Sequence, residues 1–112
     1  MKTFAEIEQY LLEMPNVVKD FPFDETTAVY KLGSTERKMF ALMPVDSAPV
    51  RLSLKCDPQL AQLLRDKYES VLPGFHLNKK HWNTIICTGQ LADDQLKDLI
   101  RHGYELVAKM LQ

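Results

Sequence analysis

The residues best equipped for chemistry crowd into one stretch of this 112-residue chain, Pro73-Gly74-Phe75-His76-Leu77-Asn78-Lys79-Lys80-His81-Trp82-Asn83-Thr84. It holds two histidines, two adjacent lysines, two asparagines and the only tryptophan. Metal binding is the first chemistry to weigh. Zinc sites need three or four ligands at defined spacing. His76 and His81 have neither a cysteine nor a paired carboxylate nearby, and His102 lies a helix away, where exposure is expected. Nucleophilic catalysis is the second. Cys56 or Cys87 beside His76 or His81 lacks both a third, orienting partner and a glycine-rich oxyanion turn. The four glycines are isolated, so no phosphate-cradling loop is present. No carboxylate pair stands out for acid–base work. The sequence therefore predicts no catalytic residue, no metal and no cofactor, and a protein that is not an enzyme.

Binding is the chemistry that survives. Lysines neutralise phosphates, and a neighbouring indole can stack on a base. Lys79, Lys80 and Trp82 are the central candidates in Lys79-Lys80-His81-Trp82. Arg51 and Lys55 extend the basic surface if the fold brings them near, and Lys31, Arg37 and Lys38 add phosphate contacts from neighbouring strands. A competing reading makes Trp82 a core anchor and leaves Lys79 and Lys80 simply solvated. In that reading Gly74, His76, Asn78, His81 and Asn83 are a structural signature, with the asparagines closing turns through their side chains.

Charge does not decide between them. The net charge is -1, which gives no global bias toward nucleic acid or an anionic membrane. Its distribution is uneven: residues 1–28 are acidic and residues 29–81 are mildly basic. Length predicts one domain over residues 1–112, large enough for a core without metal or disulfide staples. Cys56 and Cys87 lie in apolar strand-like runs and read as buried free thiols of a reducing cytoplasm. The acidic start argues against a signal peptide, and no apolar run approaches ~20 residues.

The elements that must position these residues follow from periodicity. Thr3-Phe4-Ala5-Glu6 is a capping box, and Phe4, Ile7, Leu11 and Met14 share a helical face ended by Pro15. Residues 15–25 read as a connection, with Phe21 and Phe23 as core anchors. Thr26–Leu32 and Lys38–Met43 read as strands around a Gly33-Ser34-Thr35 turn. Val50–Cys56 alternates, with Arg51, Ser53 and Lys55 on a wet face. Asp57-Pro58 starts a helix whose buried stripe is Leu60, Leu63, Leu64 and Tyr68. Asn83–Thr88 is a short strand. A last helix begins near Ala92–Asp94, and Gly103 on its apolar face predicts close packing on the sheet. The expected class is α+β, with helices packed on an antiparallel-rich sheet in the order α-β-β-β-α-β(β)-α.

The stretch from Pro73 to Thr84 also carries a resemblance. With Lys38-Met39-Phe40-Ala41-Leu42, Leu54-Lys55, Asp57-Pro58, Leu64-Arg65, Gly89, Asp98-Leu99-Ile100-Arg101 and Tyr104-Glu105-Leu106-Val107, it resembles the MmcQ/YjbR-like family across roughly residues 4–111. The Gly-x-His-x-Asn-Lys-x-His-Trp pattern is its specific part. Phe75 and Leu77 stand where Tyr and Met are common, and Gly33–Arg37 replaces a shorter first turn. The resemblance implies a compact α/β domain with a proposed double-wing DNA-binding arrangement and no catalytic residues. The resulting expectation is a cytoplasmic DNA-binding domain, monomeric or weakly dimeric, touching no membrane. The alternative is a protein-interaction or small-ligand module.

Overall fold

The computed structural model describes residues 1–111. Three helices, α1 (Phe4–Glu13), α2 (Pro58–Lys67) and α3 (Asp93–Met110), accompany six strands. The strands are β1 (Val17–Asp20), β2 (Thr27–Leu32), β3 (Lys38–Pro44), β4 (Arg51–Lys55), β5 (Val71–Pro73) and β6 (Trp82–Ile86). They form one antiparallel sheet in the order β1-β2-β3-β4-β6-β5. The expected α+β class is what the chain adopts.

Register assigns every side chain to a face. Ala28, Tyr30, Leu52, Leu54, Val71 and Ile85 point to one side, where Ile7, Leu11, Leu96, Ile100 and Val107 of α1 and α3 complete the main core. A smaller cluster of Val29, Leu42 and Trp82 lies on the opposite, helix-free face, with Met39 and Leu77 packed against it. A bulge in β3 between the Lys31–Met39 and Tyr30–Ala41 pairs turns Phe40 into the main core, edge-on to Tyr104.

The local signals that depend on a few neighbouring residues act as expected. Thr3 Oγ1 accepts from Glu6 N at 3.2 Å, and Thr3 N donates back to Glu6 Oε1 at 3.3 Å. Asp57 caps α2 through bonds from Gln59 N and Leu60 N, both 3.1 Å. At α3, Ala92 N donates to Gln95 Oε1 at 2.8 Å, and Asp93 and Asp94 occupy the first turn.

Four expectations are corrected. The connection over residues 15–25 contains β1, a four-residue strand without alternation, which exists because β2 offers it a partner. Phe21 and Phe23 are exposed, Phe23 at 63%, because they lie in the loop joining β1 to β2 and enter neither hydrophobic cluster. In α2, Leu63 is 65% exposed and Ala61 is buried instead. The buried amide of Asn83 donates to the Ala61 carbonyl at 3.2 Å and turns that face of α2 inward. His102 is half-buried, and its Nε2 accepts from Asp57 N at 3.1 Å, tying α3 to the start of α2.

Candidate functional site

The helix-free face is where the predicted binding residues meet, because β4 alternates across the sheet. Leu52 and Leu54 face the helices, and Arg51, Ser53 and Lys55 face away. The wet-face expectation holds for Arg51, which is exposed, and fails for Ser53, which is buried. The covering comes from the segment after β5.

That segment folds back over the face. Gly74 N donates to Trp82 O at 2.9 Å, and Phe75 N donates to Thr84 Oγ1 at 3.0 Å. Leu77 then packs on the Val29–Leu42–Trp82 cluster. Asn78 Oδ1 accepts from Lys80 N at 2.9 Å and His81 N at 3.2 Å, closing the turn that leads into β6. His76 holds φ at 59°, an unusual conformation for a residue with a Cβ, and its ring meets Phe75 edge-on. His81 contributes its carbonyl, which accepts from Cys56 N at 2.8 Å. Gly74, Asn78, His81 and Asn83 thus make the backbone and packing contacts that hold the segment.

Trp82 is 5% exposed, so its indole is a core anchor and offers no face for stacking on a base. Lys55 Nζ lies 5.9 Å from the centre of its ring. Lys79 bends back onto the Gly74 carbonyl at 2.9 Å, and Lys80 is exposed.

The cations do not form one continuous patch. Lys31, Lys55 and Lys80 lie at one end of the face, beside the β2–β3 hairpin whose exposed tip carries Arg37. Lys31 is paired with Asp20 at 3.2 Å. Lys38 sits opposite Leu32, toward the helix side, and pairs with Glu36 at 3.1 Å. Arg51 lies at the other end, its guanidinium 5.7 Å from the centre of the Phe75 ring.

Sequence reasoning missed a recess at that Arg51 end. It has a volume of about 410 Å³ and is walled by Phe23, Leu42, Phe75 and Leu77, with Ser53 and Thr84 in its floor. Its parts are spread from residue 23 to residue 84, so no local pattern announces it. The alternation of Ser53 among apolar neighbours was the only available signal.

Nothing in this geometry points to catalysis. Cys56 and Cys87 are free and buried, and desolvation pushes each thiol up to about 11, where the thiol is inert at neutral pH. Among the described residues, no three His, Cys, Asp or Glu side chains gather to hold a metal ion. Among the described residues, no helix is long and apolar enough to cross a membrane.

Three helices on one face of a six-stranded antiparallel sheet, with the 74–81 turn locked across the other, define an α+β domain with a helix-free surface. The chain belongs to the YjbR family, whose profile matches residues 12–106. It is 34% identical over 110 residues to the uncharacterised protein YjbR of Escherichia coli K12, covering 97% of this chain and 90% of that protein. A second relative, the uncharacterised protein YyaQ of Bacillus subtilis, is 25% identical over 117 residues, covering 95% and 98%. Among solved structures, protein DR2400 of Deinococcus radiodurans, a DUF419 domain, superposes with a TM-score of 0.93 at 40% identity, covering 97% of this chain and 80% of that one. A Pseudomonas syringae protein superposes with a TM-score of 0.77 at 25% identity, covering 93% and 97%. The curated relatives are themselves uncharacterised, so kinship establishes family and fold, and function must be argued from the surface.

Proposed function

We propose that the chain is a non-enzymatic, cytoplasmic DNA-binding domain that contacts phosphates through the basic end of its helix-free face. One observation supports this above the others. Sheet register brings Lys31 and Lys55, two strands apart, to the same end of the face, with their backbones about 10 Å apart. Lys80 and the Arg37 hairpin tip flank them. In this reading the hairpin tip serves as one of the two wings that the family resemblance implies. The contact set is smaller than the sequence suggested: Lys55, Lys80, Arg37 and Lys31, with Trp82, Lys38 and Arg51 outside it. Lys79 stabilises the turn and contributes only long-range charge.

Four cations, one already paired, predict weak and sequence-indifferent binding, because phosphate contacts position a protein without reading bases. The test is a titration of duplex and single-stranded oligonucleotides at several salt concentrations. The slope of log K against log salt should be no steeper than about -4, since each neutralised phosphate contributes roughly -0.9. Absence of binding to either form at low salt would sink the proposal. The competing reading is a protein-interaction or small-ligand module. The recess at the Arg51 end favours a small ligand over a protein partner.

A further inference from the structure

The recess at the Arg51 end has chemistry of its own, independent of the DNA reading. Ser53 and Thr84 are 7% and 3% exposed, and their hydroxyl oxygens lie 2.8 Å apart in its floor. Thr84 Oγ1 also accepts from Phe75 N. One hydroxyl hydrogen makes the bond between the two oxygens, whichever of them donates. The other has no acceptor among the described residues. That hydroxyl hydrogen, at the floor of a recess and with no protein acceptor, is placed to donate to a ligand oxygen.

The walls specify the rest of the ligand. Arg51 lies against the Phe75 ring and has no carboxylate partner among the described residues. A guanidinium matches a carboxylate through two parallel hydrogen bonds. Phe75 and Phe23, both exposed, offer flat apolar surface to a ring. Asp24 and Asp46 line the same recess against one guanidinium. Asp24 is occupied, accepting from Thr26 N at 2.9 Å and Thr27 N at 2.7 Å. The two carboxylates on the lining repel a dianion such as a phosphate monoester more strongly than a monoanion. The volume of about 410 Å³ lies within the range of small-molecule sites.

We propose that this recess binds a small aromatic monocarboxylate. Its carboxylate bridges Arg51 and the free hydroxyl hydrogen of the Ser53–Thr84 pair, and its ring lies against Phe75 and Phe23. Asp46 then accepts from an amino or hydroxyl substituent on the ring or side chain.

The experiment is an amide-resolved NMR titration of the full ¹⁵N-labelled chain. Its probes are benzoate, benzamide, cyclohexanecarboxylate and phenyl phosphate. Benzoate should give saturable shifts at Ser53, Phe75, His76 and Thr84, with a Kd on the order of 1 mM for so small a probe. Benzamide and phenyl phosphate should bind about tenfold more weakly or worse, since each loses a charge-assisted or a compatible contact. Cyclohexanecarboxylate reports the contribution of the flat ring and should bind more weakly than benzoate. Arg51 is exposed, so Arg51→Gln should fold normally and lose benzoate about tenfold, while Arg51→Lys retains part of the affinity. Phe75→Ala should abolish the preference for benzoate over cyclohexanecarboxylate. Lys80→Glu, at the other end of the face, should leave benzoate binding unchanged, which separates this site from DNA contacts. Equal shifts from benzamide, an unaffected Arg51→Gln variant, or non-saturating shifts scattered over the surface would each overturn the proposal.

Discussion

Gly74 and Trp82 pack so closely that no side chain fits between them. A Cβ at residue 74 would lie 2.6 Å from Trp82 Cβ and 3.1 Å from the Trp82 carbonyl oxygen. The amide of Gly74 bonds to that same carbonyl at 2.9 Å. Glycine is required here for contact, not for an unusual backbone angle. Gly74→Ala should therefore destabilise the fold by about 1–3 kcal/mol through overpacking. Urea unfolding measures it, and a midpoint equal to the parent's would refute the close approach.

Trp82 carries the next prediction. It anchors the cluster under the folded-back segment, so Trp82→Ala should cost about 3–5 kcal/mol. Its fluorescence should be blue-shifted and poorly accessible to acrylamide, and added oligonucleotide should not quench it directly. A red-shifted, freely quenched spectrum would contradict the burial.

Gly103 sets two effects against each other. Alanine in a helix interior gains roughly 1 kcal/mol over glycine. A Cβ there would lie 2.8 Å from the Lys55 carbonyl oxygen, which is held in β4 and cannot retreat as a side chain could. Overpacking of about 1–3 kcal/mol cancels or exceeds the helical gain. Gly103→Ala should thus show no stabilisation, and the larger Gly103→Val should lower the melting temperature clearly. A more stable alanine variant would mean that α3 lifts from the sheet at little cost.

Stability should fall at alkaline pH through Tyr30. Burial first, then the hydrogen bond to Glu8 Oε2 at 2.5 Å, raises its phenol above the ordinary tyrosine value. The folded state therefore holds the proton more tightly than the unfolded state. The stabilisation is complete below the unfolded value of about 10 and declines as pH rises beyond it. Tyr30→Phe should remove that decline and cost about 1–3 kcal/mol at neutral pH. Lys19 keeps Glu8 paired at 2.7 Å, which places the loss toward the lower end. Chemical unfolding at neutral and alkaline pH distinguishes parent from variant.

The basic end of the face is tested by reversing its charge. Lys80 is exposed, so Lys80→Glu should change stability by no more than about 0.5 kcal/mol. Combined with Lys55→Glu, it should weaken DNA binding and flatten its salt dependence, each lost phosphate contact removing about 0.9 from the slope. Unchanged affinity in the double variant would remove both lysines from the interface.

The sequence by itself determined what depends on near neighbours. The Thr3–Glu6 box, the Asp57-Pro58 start, the alternation of β4 and the spacing of Leu96, Ile100, Gly103 and Val107 each fix a local geometry within a few residues. Their sum was enough for the α+β class and the antiparallel sheet. The run from Pro73 to Thr84 was legible as a family signature, yet its internal division was not. Tertiary structure alone decided that Trp82 faces inward, that Lys79 folds onto Gly74, and that Lys38 turns to the opposite side from Lys55. It also decided that β1 exists, since a strand of four residues gains its hydrogen bonds only from a partner. The recess beside Arg51 shows the same limit. Phe23, Ser53, Phe75 and Thr84 become neighbours only when four separate segments are brought together, and the free hydroxyl hydrogen in its floor is a property of that assembly.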